Sequence, residues 1–230
     1  MLAPMQNPDE LATRYAADDR LRLDNVLSAD VAEKVHASVA ALPFDLIFHA
    51  GGSGRVAAAD ELERLSPAQR AQLSDEVSRQ AARGVGFLYA GYRMEGERLQ
   101  AAPDLLRDLL ASMNGELLER VREITGIKTL VQADGQYTRY EAGHFLTRHS
   151  DAIAAEHRRV AYVLNFSKAW HPDWGGLLQF YSSEGEPRDA WTPRFNSLAL
   201  FDVRHIHAVT YVAPFAPSPR LALTGWFRDA

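Results

Sequence analysis

Along 220–228 the chain alternates in a period of two. Leu221, Leu223 and Phe227 fall on one side of an extended strand, and Arg220, Ala222, Thr224 and Trp226 fall on the other. The first row is plain apolar packing. The second sets a guanidinium, a hydroxyl and an indole in line, a poor composition for a dry core. Short β-rich runs of this kind recur from Lys128 onward, and strands are predicted near 129–139, 144–149, 159–167, 176–182, 189–192, 197–203, 207–213 and 220–228. Eight short strands punctuated by Gly, Pro and Asp predict a double-sheet jelly roll.

The first half has a different texture. Pro8-Asp9-Glu10 opens a helical pattern through Tyr15, and Leu21 to Asp24 alternates like a strand. Ser28 and Asp30 cap a helix over 31–42, and Ser66-Pro67 starts another with Pro at its first position. Gly51-Gly52-Ser53-Gly54 reads as a flexible loop, either a lid or a turn. The run 85–93 is aromatic and strand-like. Pro103-Asp104 opens a helix over 105–125, where Leu105, Leu109, Met113, Leu117 and Val121 form a stripe four residues apart. Helices first and strands later is an α+β order rather than alternating βαβ. The expectation is a single domain over 1–230, in which 1–127 is helical support with early strands and 128–230 is the jelly-roll core.

Composition narrows the chemistry. At 230 residues, 47% hydrophobic and 24% charged, the chain has the make-up of an ordinary globular protein. A net charge of −5 supplies no global field toward nucleic acid or an anionic membrane, so neither is an expected partner. Cysteine is absent, which removes disulfides, zinc–thiolate sites and thiol nucleophiles; any metal must sit on His, Asp or Glu. The first residues lack a basic segment followed by an apolar core, and no apolar run approaches the roughly 18–20 residues that span a bilayer. A cytoplasmic location is expected.

In His149-Ser150-Asp151, residues two apart share a strand face, so both can turn toward one metal while Ser150 turns away. A His-x-Asp pair alone is also what a surface turn carries. The third ligand must come from elsewhere, and His205 and His207, again two apart, are equally placed by parity. Two neutral imidazoles and one carboxylate suit divalent iron and leave coordination positions open. Arg220 offers a planar fork for a carboxylate, unless it is consumed by an ion pair with Asp202 or Asp229. His157 and His171 fall in loops, and His144 is placed to face the sheet near the site.

Taken in order, these residues resemble the prolyl 4-hydroxylase-like branch of the Fe(II)/2-oxoglutarate dioxygenases, from about Val131 to Phe227. The resemblance rests on Tyr140 through His149-Ser150-Asp151, Arg159 through Asn165, Trp174-Gly175-Gly176 through Phe180, Asn196 through Phe201, His207-Ala208-Val209, and Arg220 through Trp226. It implies a double-stranded β-helix (jelly roll) and makes His149, Asp151 and His207 the iron ligands, His207 being chosen over His205 by the family's His-x-Val spacing. It also implies that Arg220 binds the distal carboxylate of 2-oxoglutarate, that Tyr140 lines the site, and that Thr224 and Trp226 lie close to the cosubstrate pocket. Gly175 and Gly176 match a turn before a core strand.

Two departures stand out. Asn165 takes the place of a tyrosine that helps bind the distal carboxylate in many relatives. The stretch from His207 to Arg220, with Pro214, Pro217 and Pro219, is long and is expected as a hairpin loop near the mouth. The implied cofactors are Fe(II), 2-oxoglutarate and O2, with ascorbate an admissible addition. The implied reaction is hydroxylation of an unactivated C–H bond with release of succinate and CO2. The expected substrate is a prolyl residue in a protein or peptide; the alternative is a free amino acid or small natural product. Phe180 is expected to fill the core, with Tyr140 and Trp226 as apolar walls. A nucleic-acid dealkylase fits poorly, because the chain is acidic and Arg220 with Arg228 lacks that group's paired-arginine spacing. A non-catalytic binding module on the same fold is disfavoured by the intact triad.

Overall fold

A computed structural model describes residues 1–4 and 7–229. The N-terminal half contains α1 (Pro8–Ala16), β1 (Arg20–Asp24), α2 (Ala29–Ala40), β2 (Asp45–Ala50), β3 (Ser53–Ala57), α3 (Ala59–Glu63), α4 (Pro67–Ala81), β4 (Phe87–Arg93), α5 (Gly96–Ala101), α6 (Asp104–Met113) and α7 (Glu116–Thr125). The rest contains β5 (Gln132–Ala133), β6 (Gln136–Tyr140), β7 (Phe145–His149), β8 (Arg158–Asn165), β9 (Leu178–Tyr181), β10 (Pro187–Trp191), β11 (Ser197–Asp202), β12 (His207–Val209) and β13 (Arg220–Arg228).

Eight of these strands make the two faces of the expected jelly roll. One face runs β11-β8-β13-β6 and the other β7-β12-β9-β10. β4 pairs with both β6 and β7 and joins them, while β1 extends the first face beyond β11. Every pairing is antiparallel. The alternation along β13 separates two interiors. Leu221, Leu223 and Phe227 join Val160, Tyr162 and Leu164 of β8 under the helices, against Leu11, Val35, Leu109 and Val121. Ala222 faces the other way and packs with Ala161, Val163, Leu178, Phe180 and Phe201 between the sheets. A strand buried on both faces is thereby fixed in register, because a slip of one residue would put Arg220 and Thr224 among the helices.

Several local expectations are corrected. The predicted helix over 105–125 is two, α6 and α7, broken at Asn114-Gly115. The Asn114 side chain leaves the helical pattern to pair with the Ala133 backbone, donating to its carbonyl at 2.9 Å and accepting its N–H at 2.7 Å. Leu109, Met113, Leu117 and Val121 stay buried on one stripe, with Leu106 rather than Leu105 at its head. The predicted strand over 129–139 divides into β5 and β6. Ser28 sits at the N-cap of α2 without a side-chain capping bond, whereas Ser66 and Gln69 form a complete capping box on α4. Gly51 and Gly52, at φ 61° and 78°, are the turn of the unforeseen β2–β3 hairpin, as a two-residue primed turn requires.

The strand expected over 207–213 ends at Val209. Beyond it, Val212 N–H bonds to His144 C=O at 3.0 Å, Ala213 N–H to Trp174 C=O at 2.9 Å, and Gly176 N–H to Thr210 C=O at 3.1 Å. The stretch is not a hairpin, since β12 and β13 pair with other strands, and Val212 packs beside Gly176 at the Arg220 end of β13. Among the described residues no helix is long and apolar enough to cross a membrane.

Gly175 sits at φ 69°, and a Cβ there would collide with the Tyr211 carbonyl oxygen. Gly175→Ala combines backbone strain with overpacking, each on the order of 1–3 kcal/mol. It is expected to lower stability by about 3 kcal/mol in urea denaturation. A midpoint unchanged from wild type contradicts this packing.

Candidate metal centre

β7 ends at His149 and β12 begins at His207, and the strand pairing sets these two residues opposite one another. Their ring centroids are 4.3 Å apart. Asp151 lies beyond the end of β7, so simple strand alternation does not aim it. Instead its N–H bonds to Val203 C=O at 3.0 Å, and the Ser150 hydroxyl donates to the same carbonyl at 3.0 Å. This anchored bend turns the carboxylate onto both imidazoles. His149 Nε2 stands 3.4 Å from Asp151 Oδ1, and His207 Nε2 stands 3.5 Å from Oδ2. Among the described residues this is the one cluster of three metal-ligating groups, its ligand atoms all within 4.8 Å of one another.

The backbone sets each tautomer. His149 Nδ1 lies 3.0 Å from Thr147 C=O, and His207 Nδ1 lies 3.0 Å from His205 C=O. A carbonyl only accepts, so both Nδ1 atoms carry a proton, and in the neutral, metal-binding form of each ring the Nε2 lone pair points at the shared site. Two neutral imidazoles and a carboxylate are the donor set for a divalent ion such as Fe(II). His205 is excluded by geometry: its Nε2 bonds to Asp18 C=O at 2.9 Å, away from the cluster. His157 and His171 are exposed in loops, as expected, and His144 is buried at the turn before β7.

The electrostatics suit a cation. Burial favours the protonated form of Asp151, but the hydrogen bond from His149 and both imidazoles outweigh it and hold the carboxyl below its usual range. Burial, with His149 beside it, pushes the His207 pKa down to about 4. Burial also works against protonating His149, yet the bond to Asp151 and its charge prevail and raise that pKa.

Arg220 is 2% exposed, and among the described residues its Nε has no hydrogen-bond partner. Both acids named as candidate ion-pair partners for it are used elsewhere. Asp202 holds Arg204 at 2.8 Å, and Asp229 holds Arg159 and the Thr129 hydroxyl. The guanidinium rests 5.2 Å above the Tyr140 ring, and burial lowers its pKa. A buried cation without an anion is costly, and the site fits a ligand that brings a carboxylate, as 2-oxoglutarate does. A Cβ at Gly176 would stand 3.3 Å from Arg220 Cδ, so the glycine turn also shapes this pocket.

The remaining candidates divide. Tyr140, fully buried and kept as the neutral phenol by burial, stacks on Tyr89 at 5.2 Å and 14°. Asn165 faces the same interior opposite Ala222, but its Nδ2 is spent on Ser197 at 3.4 Å, so its unpartnered atom is the acceptor Oδ1 rather than a donor. Thr224 lies further along β13 and, with Trp226, borders a separate cavity of about 360 Å³ that Tyr89, Gln136, Arg158 and Arg228 also line. Phe180 is fully buried against Phe201 and Trp191, as core filling requires, and it also meets the His207 ring at 6.4 Å. Tyr89 and the charged rim were missed from sequence. The signal for Tyr89 was its place on one strand face with Phe87.

The chain is similar to several known proteins. Residues 135–228 match the model of the 2OG-Fe(II) oxygenase superfamily. A mouse protein named Prolyl 3-hydroxylase OGFOD1 is 30% identical over 112 residues, which cover 46% of this chain and 20% of that protein. The chain thus spans about a fifth of the length of this curated relative. A Pseudomonas putida prolyl-4-hydroxylase superposes with a TM-score of 0.65 at 19% identity, covering 97% of this chain and 100% of the other. A Trichoplax adhaerens prolyl hydroxylase, solved with a hypoxia inducible factor oxygen degradation domain peptide fragment, superposes with a TM-score of 0.57 at 17% identity over 96% and 89%. These two likenesses establish the fold.

Metal and proton compete for His149 Nε2. Because the folded pKa of His149 is raised above 6.5, Co(II) affinity in titrations is expected to be full at alkaline pH and to fall as pH drops through a value above 6.5. A constant affinity down to pH 5 contradicts it. Arg220→Ala is expected to raise the 2-oxoglutarate requirement for succinate release by at least about 30-fold, in line with roughly 2 kcal/mol or more for a buried charge-assisted pair. Co(II) binding should stay near wild type, and an unchanged cosubstrate requirement removes Arg220 from that role.

Proposed function

We propose that this chain, a 2OG-Fe(II) oxygenase by its residues 135–228, hydroxylates an unactivated C–H bond of a prolyl residue within a protein or peptide. His149, Asp151 and His207 would hold Fe(II), and Arg220 would hold the far carboxylate of 2-oxoglutarate. When bound, the iron and its cosubstrate supply the oxidising chemistry, with succinate and CO2 as products. The protein's own part is to orient the substrate and exclude water.

The observation that carries the reading is the cavity lined by Tyr89, Gln136, Arg158, Trp226 and Arg228. Trp226 borders this cavity and also helps hold the Asp151 carboxyl below its usual range, so it stands between the cavity and the metal ligands. The Arg158 guanidinium covers the Trp226 ring at 3.5 Å. Trp226 Nε1, Arg158 Nε and Arg228 Nε are buried without a hydrogen-bond partner. Asp134 and Glu156, the carboxylates beside them, are already in ion pairs with Arg228 and Arg158. With Glu95 likewise paired to Arg93, the carboxylates on the cavity wall are all engaged.

An Xaa–Pro peptide unit is the complementary partner, because it brings carbonyl oxygens and no amide hydrogen at proline. A free amino acid brings an ammonium group whose N–H donors would find these acceptors engaged. Aromatic faces of Tyr89 and Trp226 suit a compact apolar ring. The name of the mouse relative, a prolyl 3-hydroxylase, supports the same choice.

The test is to incubate the chain with Fe(II) and 2-oxoglutarate and a pool of capped tripeptides Ac-Xaa-Pro-Xaa-NH2, in parallel with free proline, free lysine and related acids. Mass spectrometry should find one added oxygen on members of the peptide pool. Oxidation of a free acid alone, or of nothing offered, overturns the prolyl-peptide reading.

A further inference from the structure

His205 is the imidazole that sequence parity could not separate from His207, and the metal cluster leaves it unused. We propose that it is a positioning residue, holding the backbone that orients His207 and so tying the N-terminal strand β1 to the metal. This rests on the metal-site reading and not on the choice of substrate.

Three contacts form a relay. The His205 ring donates from Nε2 to Asp18 C=O at 2.9 Å. The carbonyl of His205 accepts the Nδ1 proton of His207 at 3.0 Å. The His205 ring also stands edge-on to Phe180 at 5.8 Å, and Phe180 reaches His207 at 6.4 Å. Behind Phe180, the Arg20 guanidinium lies 4.6 Å above the ring, pinned by Asp18 and Asp189 at 2.5 Å each. The receiving turn is itself fixed, since Asp19 C=O accepts the Asp202 N–H at 2.9 Å.

The relay matters because residues 203–206 lie between β11 and β12 and belong to neither strand. The direction of the His205 carbonyl is therefore not imposed by a regular ladder. If that carbonyl swings away, the proton at Nδ1 of His207 loses its acceptor, and Nε2 is no longer reserved for the metal. Groups that orient a metal-bound imidazole through its second nitrogen commonly change metal affinity by roughly 10–100-fold when lost. Here the orienting group is a carbonyl. Its backbone is held by the His205 N–H on Asp202 C=O at 3.1 Å and by Ile206 C=O accepting the Tyr181 N–H at 2.9 Å, and the His205 ring adds the side-chain anchor to the N-terminal segment. A residue that merely filled the gap between β1 and β9 would have no such effect.

The experiment titrates the chain with Co(II) alone and compares His205→Phe with His205→Gln. Phenylalanine keeps a ring against Phe180 and removes the N–H; glutamine restores an N–H at similar reach. We expect His205→Phe to weaken Co(II) binding at least about tenfold and to alter the Co(II) ligand-field spectrum. His205→Gln should stay within about threefold of wild type. The 2-oxoglutarate affinity at saturating Co(II) should move in neither. Equal Co(II) affinity in wild type and His205→Phe overturns the proposal, as does an equal loss in both variants accompanied by an equal fall in melting temperature. If His205→Phe does not fold, Arg20→Met releases the same turn, and wild-type Co(II) affinity in that variant overturns the proposal equally. Failure of every peptide in the substrate assay leaves these outcomes intact, whereas a wild type that binds no Co(II) ends both this inference and the metal site.

Discussion

The pairing of β7 with β12 is the constraint on which the site depends. It joins residues nearly sixty positions apart in sequence and puts His149 directly across from His207. Neither strand is long, and each is held on its other side, β7 by β4 and β12 by β9. The jelly roll is the arrangement that makes those neighbours available. Two sheets must close around a common interior before two short strand ends can meet, and the Val203 carbonyl must lie where it can catch Asp151. Once these conditions hold, the metal ligands need no further adjustment, because the backbone has already assigned the proton on each imidazole.

The same closure makes room for charge inside the protein. Arg220 points into the interior from a strand whose opposite face is wholly apolar, so it cannot turn to solvent without moving β13 out of register. Its burial without a counter-ion is an expense that folding must carry and that a bound dicarboxylate relieves. Tyr140, Gly176 and the backbone after β12 shape the space around it. At the other end of β13, Trp226 and Arg158 border a second cavity whose carboxylates, Asp134 and Glu156, are engaged in ion pairs. One strand thus carries Arg220 and Trp226 on a single face, with Ala222 between them packed against Ala161, Phe180 and Phe201.

Much of this was legible in the chain because it is written in short periods. Leu221, Leu223 and Phe227 mark their strand and its inward face, and the order of His149, Asp151, His207 and Arg220 marks the chemistry. What escaped depends on distant partners. Asn114 breaks a well-formed helical stripe because Ala133 offers it a backbone to pair with. Leu46-Ile47-Phe48 is a contiguous apolar run with no period, so β2 and its hairpin were invisible. Asp151 reached the site through a bend rather than strand parity. His205 and His207 could not be told apart by period two, since the difference lies in Asp18, far earlier in the sequence. The donors of Arg158 and Trp226 become meaningful only when their carboxylate neighbours are known to be engaged.

The most direct test of the central claim, that three ligands and Arg220 face one another around a shared metal and keto acid, is anaerobic optical titration of the chain with Fe(II) and 2-oxoglutarate together. Chelation of the keto acid to iron in this site should produce a visible charge-transfer band that neither component gives alone and that saturates at one iron per chain. Absence of that band with both components bound would mean that the iron and the keto acid occupy separate places, and would contradict the account.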